Sequence, residues 1–357
     1  MFGEEIATIY LDNTDASMQE LAIVILNYNG LQHLTTFLPN VCANSVGFPI
    51  IIIDNASTDE SVSFLNKSFP SVECISLPQN YGFAEGYNEG LGQVKGRFKN
   101  YILLNNDVEV TSNWIPPLLS ALADETVAGC QPKVLSYTKK THFEHAGAAG
   151  GYLDKNYFPF CRGRIFNHCE EDQGQYDYKK KVDWTSGAAM LIRADLFHDV
   201  GGFDSDFMAH MEEIDLCLRL NHAGYSFVCE PTSVVYHLGG GTMPYTSPTK
   251  TFLNFRNNLM LLVKNHRGFW GPRLVIRMLY DGIAALQFLL KGKFSFFTMI
   301  FLAHMSFYAK IQKVLQKRKQ LKRAQNKAPS YSGNIIFDYY LKNNKTFTKL
   351  NKRRFLS

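Results

Sequence analysis

Three carboxylates, Glu212, Glu213 and Asp215, crowd into four positions of the stretch 203–237, FDSDFMAHMEEIDLCLRLNHAGYSFVCEPTSVVYH, whose far end delivers an imidazole, His237, to a glycine run. Leu216, Cys217 and Leu220 recur at helical spacing. The segment reads as a helix with a buried stripe headed by Glu213 and an opposite, charged face of Glu212, Asp215 and Arg219, the last two able to pair along the helix. A carboxylate in the first turn of a half-buried helix is held rigidly and shielded from bulk water, as a general base must be. Acids at a helix start also complement its dipole without doing any chemistry.

Such a cluster needs a scaffold that brings distant residues to one edge. Residues 21–26, LAIVIL, form an unbroken apolar run of strand length, which suits a strand covered on both faces in a parallel sheet. It stops at Asn27-Tyr28-Asn29-Gly30. Two further runs, 50–53 and 101–104, stop at Asp54-Asn55-Ala56-Ser57-Thr58-Asp59 and at Asn105-Asn106-Asp107. Helical patterns between them predict βαβ units, and in open α/β sheets ligands bind outside the carboxyl ends of the strands. Asp54 at such an end can accept hydrogen bonds from a base or ribose, and Asp107 can ligate a hard divalent cation through oxygen; either acid could equally be an ordinary turn residue. Neither G-x-G-x-x-G nor G-x-x-x-x-G-K-[ST] follows the first run, which leaves out the dinucleotide and triphosphate cradles. Glycines at 82, 86 and 90 give the helix between the second and third runs a bare face that another backbone or a ligand can approach.

The chain has 357 residues, 46% hydrophobic and 19% charged, enough for one large domain with an appendage. Seven cysteines without a C-x-x-C pair suggest reduced thiols rather than a disulfide framework, and the Cys161, His168, Cys169 spacing does not suit a structural zinc. The start, with Glu4 and Glu5, lacks the basic region of a secretory signal, so a cytoplasmic catalytic part is expected. Formal charge is +5, of which residues 310–357 carry +13, leaving −8 on the rest. A basic end on an acidic body calls for a polyanionic surface, an anionic membrane first. Residues 274–290, interrupted by Arg277 and Asp281, and the sixteen uncharged residues 294–309 fall short of the roughly 20 residues of a spanning helix. They read as amphipathic helices on the inner leaflet, followed by the basic segment 310–323, or else as a bundle packed on the catalytic part. A nucleic-acid reading would rest on the basic end alone, with no recognised binding motif.

Six ordered motifs resemble glycosyltransferase family 2, and within it the rhamnosyltransferase-like branch that builds bacterial cell-surface polysaccharides. They are Asn27-Tyr28-Asn29; 54–59; Asn80 through Asn88; Asn105-Asn106-Asp107; Asp183-Trp184-Thr185-Ser186-Gly187-Ala188; and Glu212-Glu213-Ile214-Asp215-Leu216-Cys217. The resemblance implies a GT-A α/β fold, a mostly parallel sheet flanked by helices. It divides the chain into an N-terminal extension (1–20), a catalytic domain (21–258) and a helical, basic, membrane-associating C-terminal region (259–357). By analogy Asn29, Asp54 and Asp59 surround the nucleoside, and Asn80, Gly82, Asn88 and Asn106 border the donor. Asp107 is the surviving acid of the family's D-x-D metal motif, with Asn105 in place of the first, and His237 is a further ligand to magnesium or manganese.

The resemblance also implies the activity: inverting transfer of a sugar from a UDP or dTDP donor to a hydroxyl of a saccharide or lipid-linked saccharide, at the cytoplasmic face of the inner membrane. Glu213 stands where the family usually has its aspartate base, with Glu212 and Asp215 as alternatives. Trp184 and Gly187 lie on the acceptor side, the indole either stacking on a sugar or packing in the core. The polar stretch 161–181 is expected to be a mobile surface loop, and Gly239-Gly240-Gly241-Thr242 a flexible lid. An inert sugar-nucleotide-binding or scaffold protein of the same fold would not need Asp107, Glu213 and His237 together.

Overall fold

The computed structural model describes residues 18–239, 247–321 and 329–356. The lid residues Gly240, Gly241 and Thr242, most of the N-terminal extension, and Lys322 and Arg323 of the basic segment lie outside them.

Strands and helices alternate at first: β1 (Gln19–Asn27), α1 (Leu31–Asn44), β2 (Ile50–Asp54), α2 (Ser61–Ser68), β3 (Glu73–Ser76), α3 (Gly82–Gln93) and β4 (Phe98–Asn105). The apolar runs become the parallel strands β1, β2 and β4, and β3 extends them at the edge. Every residue of β2 is buried, as an unbroken Ile run demands. Register then does chemical work, because Asn27 falls opposite Asp54 and Leu26 opposite Asn105, so the polar strand ends share one row. The glycine face of α3 lies on this sheet: a Cβ on Gly90 would sit 2.3 Å from Ile53.

Next come β5 (Val108–Val110), α4 (Ile115–Ala121), β6 (Val127–Ser136), and a small antiparallel sheet of β7 (Gly151–Leu153), β8 (Pro159–Cys161), β9 (Arg164–Ile165) and β10 (His168–Cys169). They are followed by β11 (Lys180–Val182), β12 (Ala189–Arg193), α5 (Ala194–Asp199), α6 (Glu212–Ala223) and β13 (Ser226–His237). The main sheet runs β11-β13-β6-β12-β4-β1-β2-β3. β12 enters it antiparallel between β4 and β6, which carries the loop before it to the row of strand ends, where the Asn105 N–H donates to the Ala188 carbonyl (2.9 Å). β13 runs parallel to β6, and β5 pairs antiparallel with its end so that His237 lies opposite Val108.

The stretch 161–181 is not a mobile surface loop. Arg162, Ile165 and Tyr176 are buried, the Arg162 Nε donates to the Ala149 carbonyl (2.8 Å), and the Tyr176 hydroxyl donates to Glu170 (2.9 Å). Part of it is folded into the small sheet through such tertiary bonds, which hydropathy cannot reveal.

The chain ends in α7 (Pro248–Asn265), α8 (Gly271–Leu290), α9 (Phe294–Gln320) and a non-α-helical strap, 329–356. The boundary drawn at 258 falls inside α7. The strap returns to the small sheet, with Tyr331 bridging Asp154 and Phe347 packing on Tyr152 and Phe160. All seven cysteines are free.

Gly90→Ala tests the approach of α3 to the sheet. The added methyl meets a β-branched, fully buried Ile53 that cannot swing aside, and such overpacking costs about 1–3 kcal/mol, more than the helix propensity gained. The melting temperature should fall, and Ile53→Val should restore part of it.

Candidate functional site

The three strand ends meet. The Asn27 amide, fully buried, donates to Asp54 Oδ1 (3.2 Å), and its carbonyl accepts from Asn106 Nδ2 (3.0 Å), joining β1, β2 and the turn after β4. Asp54 spends its carboxylate on this knot: it accepts from the Ser57 N–H (2.9 Å) and hydroxyl (2.6 Å). With 2% of its surface exposed, its carboxylate faces Asn27 and Ser57. Asn29, at φ +47°, accepts from the Thr58 and Asp59 N–H groups, and Asp59 accepts from the N–H of Leu31 at the start of α1 (3.1 Å). Asn80 accepts from Asn55 Nδ2 (3.0 Å) and the Gly82 N–H (2.8 Å). The outer side of this knot exposes Tyr28, Asn29, Thr58 and Asn80, leaving a polar shelf at the strand ends.

Asn88 does not border that shelf. Its side chain pairs with the Phe203 backbone in both directions (2.9 Å each), tying α3 to the loop that leads into α6.

Asp107 and His237 meet in the structure. His237 Nε2 lies 3.1 Å from Asp107 Oδ1, and Nδ1 lies 3.2 Å from Glu144 Oε2, off hydrogen-bond alignment. Burial would lower the imidazole pKa, but the Asp107 and Glu144 carboxylates override it and hold the ring up to about 10. Burial likewise opposes, and His237 overcomes, on Asp107, whose pKa is lowered. Asn105 Nδ2 approaches the same ring nitrogen (3.4 Å). Glu144 escaped the sequence analysis because it lies in an irregular loop after β6 with no motif around it.

The acids of α6 separate into three roles. Asp215 is fully buried and ion-paired with Arg219 Nε (2.7 Å) and Lys264 Nζ (2.8 Å), while Asn265 donates to its other oxygen (2.9 Å). Burial alone would raise its pKa; Lys264 and Arg219 lower it. Asp215 is therefore an anchor and not a base. Glu212 and Asp215, expected on a charged face opposite the buried stripe, are themselves buried, and α7 packs against α6. Burial and then the charge of Glu213 push the Glu212 pKa well up. Glu213 is half-buried beside Gly187, whose Cβ would lie 3.8 Å from it, and burial pushes its carboxyl up to about 7 against the pull of backbone N–H groups at the helix start. Glu212 and Glu213 each keep one buried oxygen with no hydrogen-bond partner among the described residues.

Backbone strain precedes these acids. Met208, His210 and Met211 all have positive φ (+63°, +68° and +75°), a conformation costly for side chains with Cβ. α7 holds it: Asn257 Nδ2 donates to the carbonyls of Phe207, Ala209 and His210 (2.9, 2.9 and 2.7 Å), and Lys264 bridges Asp204 (2.5 Å) to Asp215. α9 adds Lys317, which pairs with both Asp204 and Asp206 (2.5 Å each), and Lys313, paired with Asp206 (2.8 Å). These lysines, with Lys310 at 3.4 Å from Asp206, belong to the basic segment assigned to lipid. They are committed to the protein instead.

Trp184 is core. It is 3% exposed, donates from Nε1 to the Tyr152 carbonyl (3.1 Å) and packs flush on Gly151, so it cannot stack on a sugar. Gly187 lies beside Glu213 and Phe83.

The family model described as "Glycosyl transferase family 2" matches residues 22–201, half the chain, spanning the strand-end knot, Asp107 and the loop before β12. The chain belongs to glycosyl transferase family 2. Among curated proteins it is 24% identical, over 75% of this chain and 91% of the other, to the N-acetylglucosaminyl-diphospho-decaprenol L-rhamnosyltransferase of Mycobacterium tuberculosis. It is 29% identical, over 65% of this chain and 47% of the other, to the pre-mycofactocin glycosyltransferase of the same organism. Among solved structures it superposes on residues 1–349 of S. aureus TarS with a TM-score of 0.53 at 13% identity, covering 85% of this chain and 83% of the other. With GalNAc-T7, solved with UDP, GalNAc and Mn2+, the TM-score is 0.52 at 16% identity, covering 70% of this chain and 48% of that one. These likenesses fix a GT-A glycosyltransferase fold, and the family makes the chain a glycosyltransferase using a nucleotide sugar.

The anchor role of Asp215 has a measurable consequence. Asp215→Asn leaves Arg219 buried without its counter-charge and Lys264 with Asp204 alone, and breaking a buried pair in this way costs about 3–5 kcal/mol. The urea midpoint should drop accordingly, whereas Glu213→Gln should leave it unchanged or raised.

Proposed function

We propose that this family 2 enzyme transfers a sugar from a UDP or dTDP donor to a hydroxyl of a lipid-linked saccharide, inverting the anomeric carbon, with Glu213 as the base. The observation that carries the reading is the half-buried Glu213 carboxyl in the cleft, with one oxygen unclaimed by the protein and a pKa near neutrality. Burial and the charge of Glu213 push the neighbouring Glu212 carboxyl well up, which disfavours two adjacent buried charges. In a single displacement the acceptor oxygen bonds to the anomeric carbon and its proton passes to Glu213. The bond to the diphosphate breaks with its electron pair leaving on the phosphate oxygen. Asn29, Asp59, Asn80, Gly82 and Asn106 frame the donor side, and Gly187 leaves room for the acceptor beside Glu213.

Asp107 and His237 suit a divalent cation, magnesium or manganese. An oxygen and an imidazole nitrogen 3.1 Å apart are a compatible pair of neighbouring ligands, and no third His, Cys, Asp or Glu among the described residues joins them. The other ligands would come from the donor diphosphate and water. When bound, such an ion neutralises charge on the departing diphosphate. The decaprenol-linked substrate named for the mycobacterial relative supports a lipid-linked acceptor here, and with it a peripheral position at the cytoplasmic face of a membrane.

Nucleoside diphosphate release from UDP- and dTDP-sugars with a lipid-linked acceptor extract tests this reading. Glu213→Gln should lower kcat by about 100-fold or more with little change in donor KM, and Glu212→Gln, which mimics the protonated side chain, should keep most turnover. Full activity in Glu213→Gln would refute the assignment. Because the base works as its carboxylate, wild-type kcat should climb with pH through about 7 and fall away below it. The metal reading has its own check: a chelator should stop turnover, Mn or Mg should restore it, and Asp107→Ala should not respond to added ion. Turnover indifferent to chelator would remove the cation from the scheme.

A further inference from the structure

We infer that the α8–α9 hairpin seats the enzyme on an anionic bilayer, its outer face buried at the hydrocarbon boundary and both helices lying in the membrane plane. The inference deepens the membrane-peripheral reading above and rests on it. Leu279, Ile283 and Leu286 on α8, and Phe297, Phe301 and Met305 on α9, repeat at helical spacing and are 38–64% exposed. Large apolar side chains exposed in a continuous stripe mark a surface that meets a partner.

The charges that interrupt this sequence do not interrupt the surface. Arg277 turns inward over the Phe158 ring (3.4 Å), and Asp281 pairs with Arg277 (3.7 Å) and His304 (3.1 Å) between the helices. What remains outside is apolar or uncharged between Leu274 and the hairpin turn, and again across residues 294–309.

The rim of the face selects the partner. Lys291 and Lys293 are exposed at the turn, and Arg267 and Arg273 flank the start of α8. Across residues 247–321 the sequence holds one acid, the buried Asp281. A uniformly basic rim complements anionic headgroups and repels a second copy of itself. Orientation follows from length and tethering. By length and composition α9 could cross a membrane, but its uncharged part, 16 residues, spans about 24 Å against a hydrocarbon core of about 30 Å. Its second half is fixed to the catalytic domain by Lys313 and Lys317, and by Arg318 donating to the Val263 and Gly268 carbonyls (2.9 and 2.8 Å). A helix held along half its length can lie on the bilayer and cannot thread it.

Because Lys310, Lys313 and Lys317 are spent on Asp204 and Asp206, the attachment is chiefly hydrophobic once made. Flotation of the full chain with phosphatidylcholine/phosphatidylglycerol vesicles tests this. The wild type should float, and vesicles once loaded should keep most of it in high salt. Leu279→Glu/Phe301→Glu should cut the bound fraction at least tenfold while nucleoside diphosphate release with a soluble acceptor stays within twofold, showing the variant folded. Undiminished flotation of the variant, or complete stripping of the wild type by salt, overturns the inference. So does a vesicle-free dimer that the double substitution dissolves. Absent nucleotide release with intact, variant-sensitive flotation would instead sink the catalytic reading and leave the hairpin standing.

Discussion

Lys264 holds the catalytic end of the molecule together. Its ammonium is buried between Asp215, inside α6, and Asp204, in the loop before it, and both distances are those of charge-assisted hydrogen bonds. A buried charge is tolerable only when paired, so the lysine forces helix and loop into one arrangement: neither acid can leave without stranding the other partners. That constraint sustains the positive φ of Met208, His210 and Met211, which no local preference favours. The strain has a purpose in geometry. It turns the chain sharply enough that Glu212 and Glu213 start a helix facing the row of strand ends.

Two adjacent glutamates then acquire different chemistry from nearly identical sequence surroundings. Glu212 points into the packed side of α6, where burial and the neighbouring Glu213 push its carboxyl well up. Glu213 looks toward the cleft past Gly187, where a Cβ would begin to fill the space in front of it. Across the cleft the charge logic reverses: His237 lies between Asp107 and Glu144, so the imidazole holds a proton that a cation bound there would replace. The two clusters thus differ in charge: a pair of carboxyls pushed up by burial, and an imidazole held between two carboxylates.

Much of this was legible in the sequence because strand ends announce themselves. The unbroken runs before Asn27, Asp54 and Asn105 predicted three parallel strands, and their polar terminators do converge. The i, i+4 pair of Asp215 and Arg219 was equally readable. The failures share a cause: side-chain direction beyond the helix and strand period. Asp54, Asn88 and Trp184 carry groups suited to ligands, yet their partners are Ser57, the Phe203 backbone and Gly151, contacts set by tertiary packing alone. The stripe of α6 was misjudged for the same reason, since its polar face is covered by α7 and satisfied by Lys264 and Asn265, forty-nine and fifty residues downstream of Asp215.

α9 shows how one helix can serve two surroundings. Its first half has no charge and its second half carries Lys310, Lys313, Lys317, Arg318 and Lys319, and read as sequence the lysines looked like the adhesive. In the fold they are the inner fastening. Ammonium groups that already contact Asp204 and Asp206 would have to abandon carboxylates at hydrogen-bonding distance for headgroups separated by mobile water, an exchange with little to favour it. The apolar half packs Ile300, Ala303 and Phe307 inward, pairs His304 with Asp281, and leaves Phe297, Phe301 and Met305 exposed. One continuous helix thus joins the exposed apolar stripe to the loop that leads into Glu212 and Glu213, with no flexible segment between them.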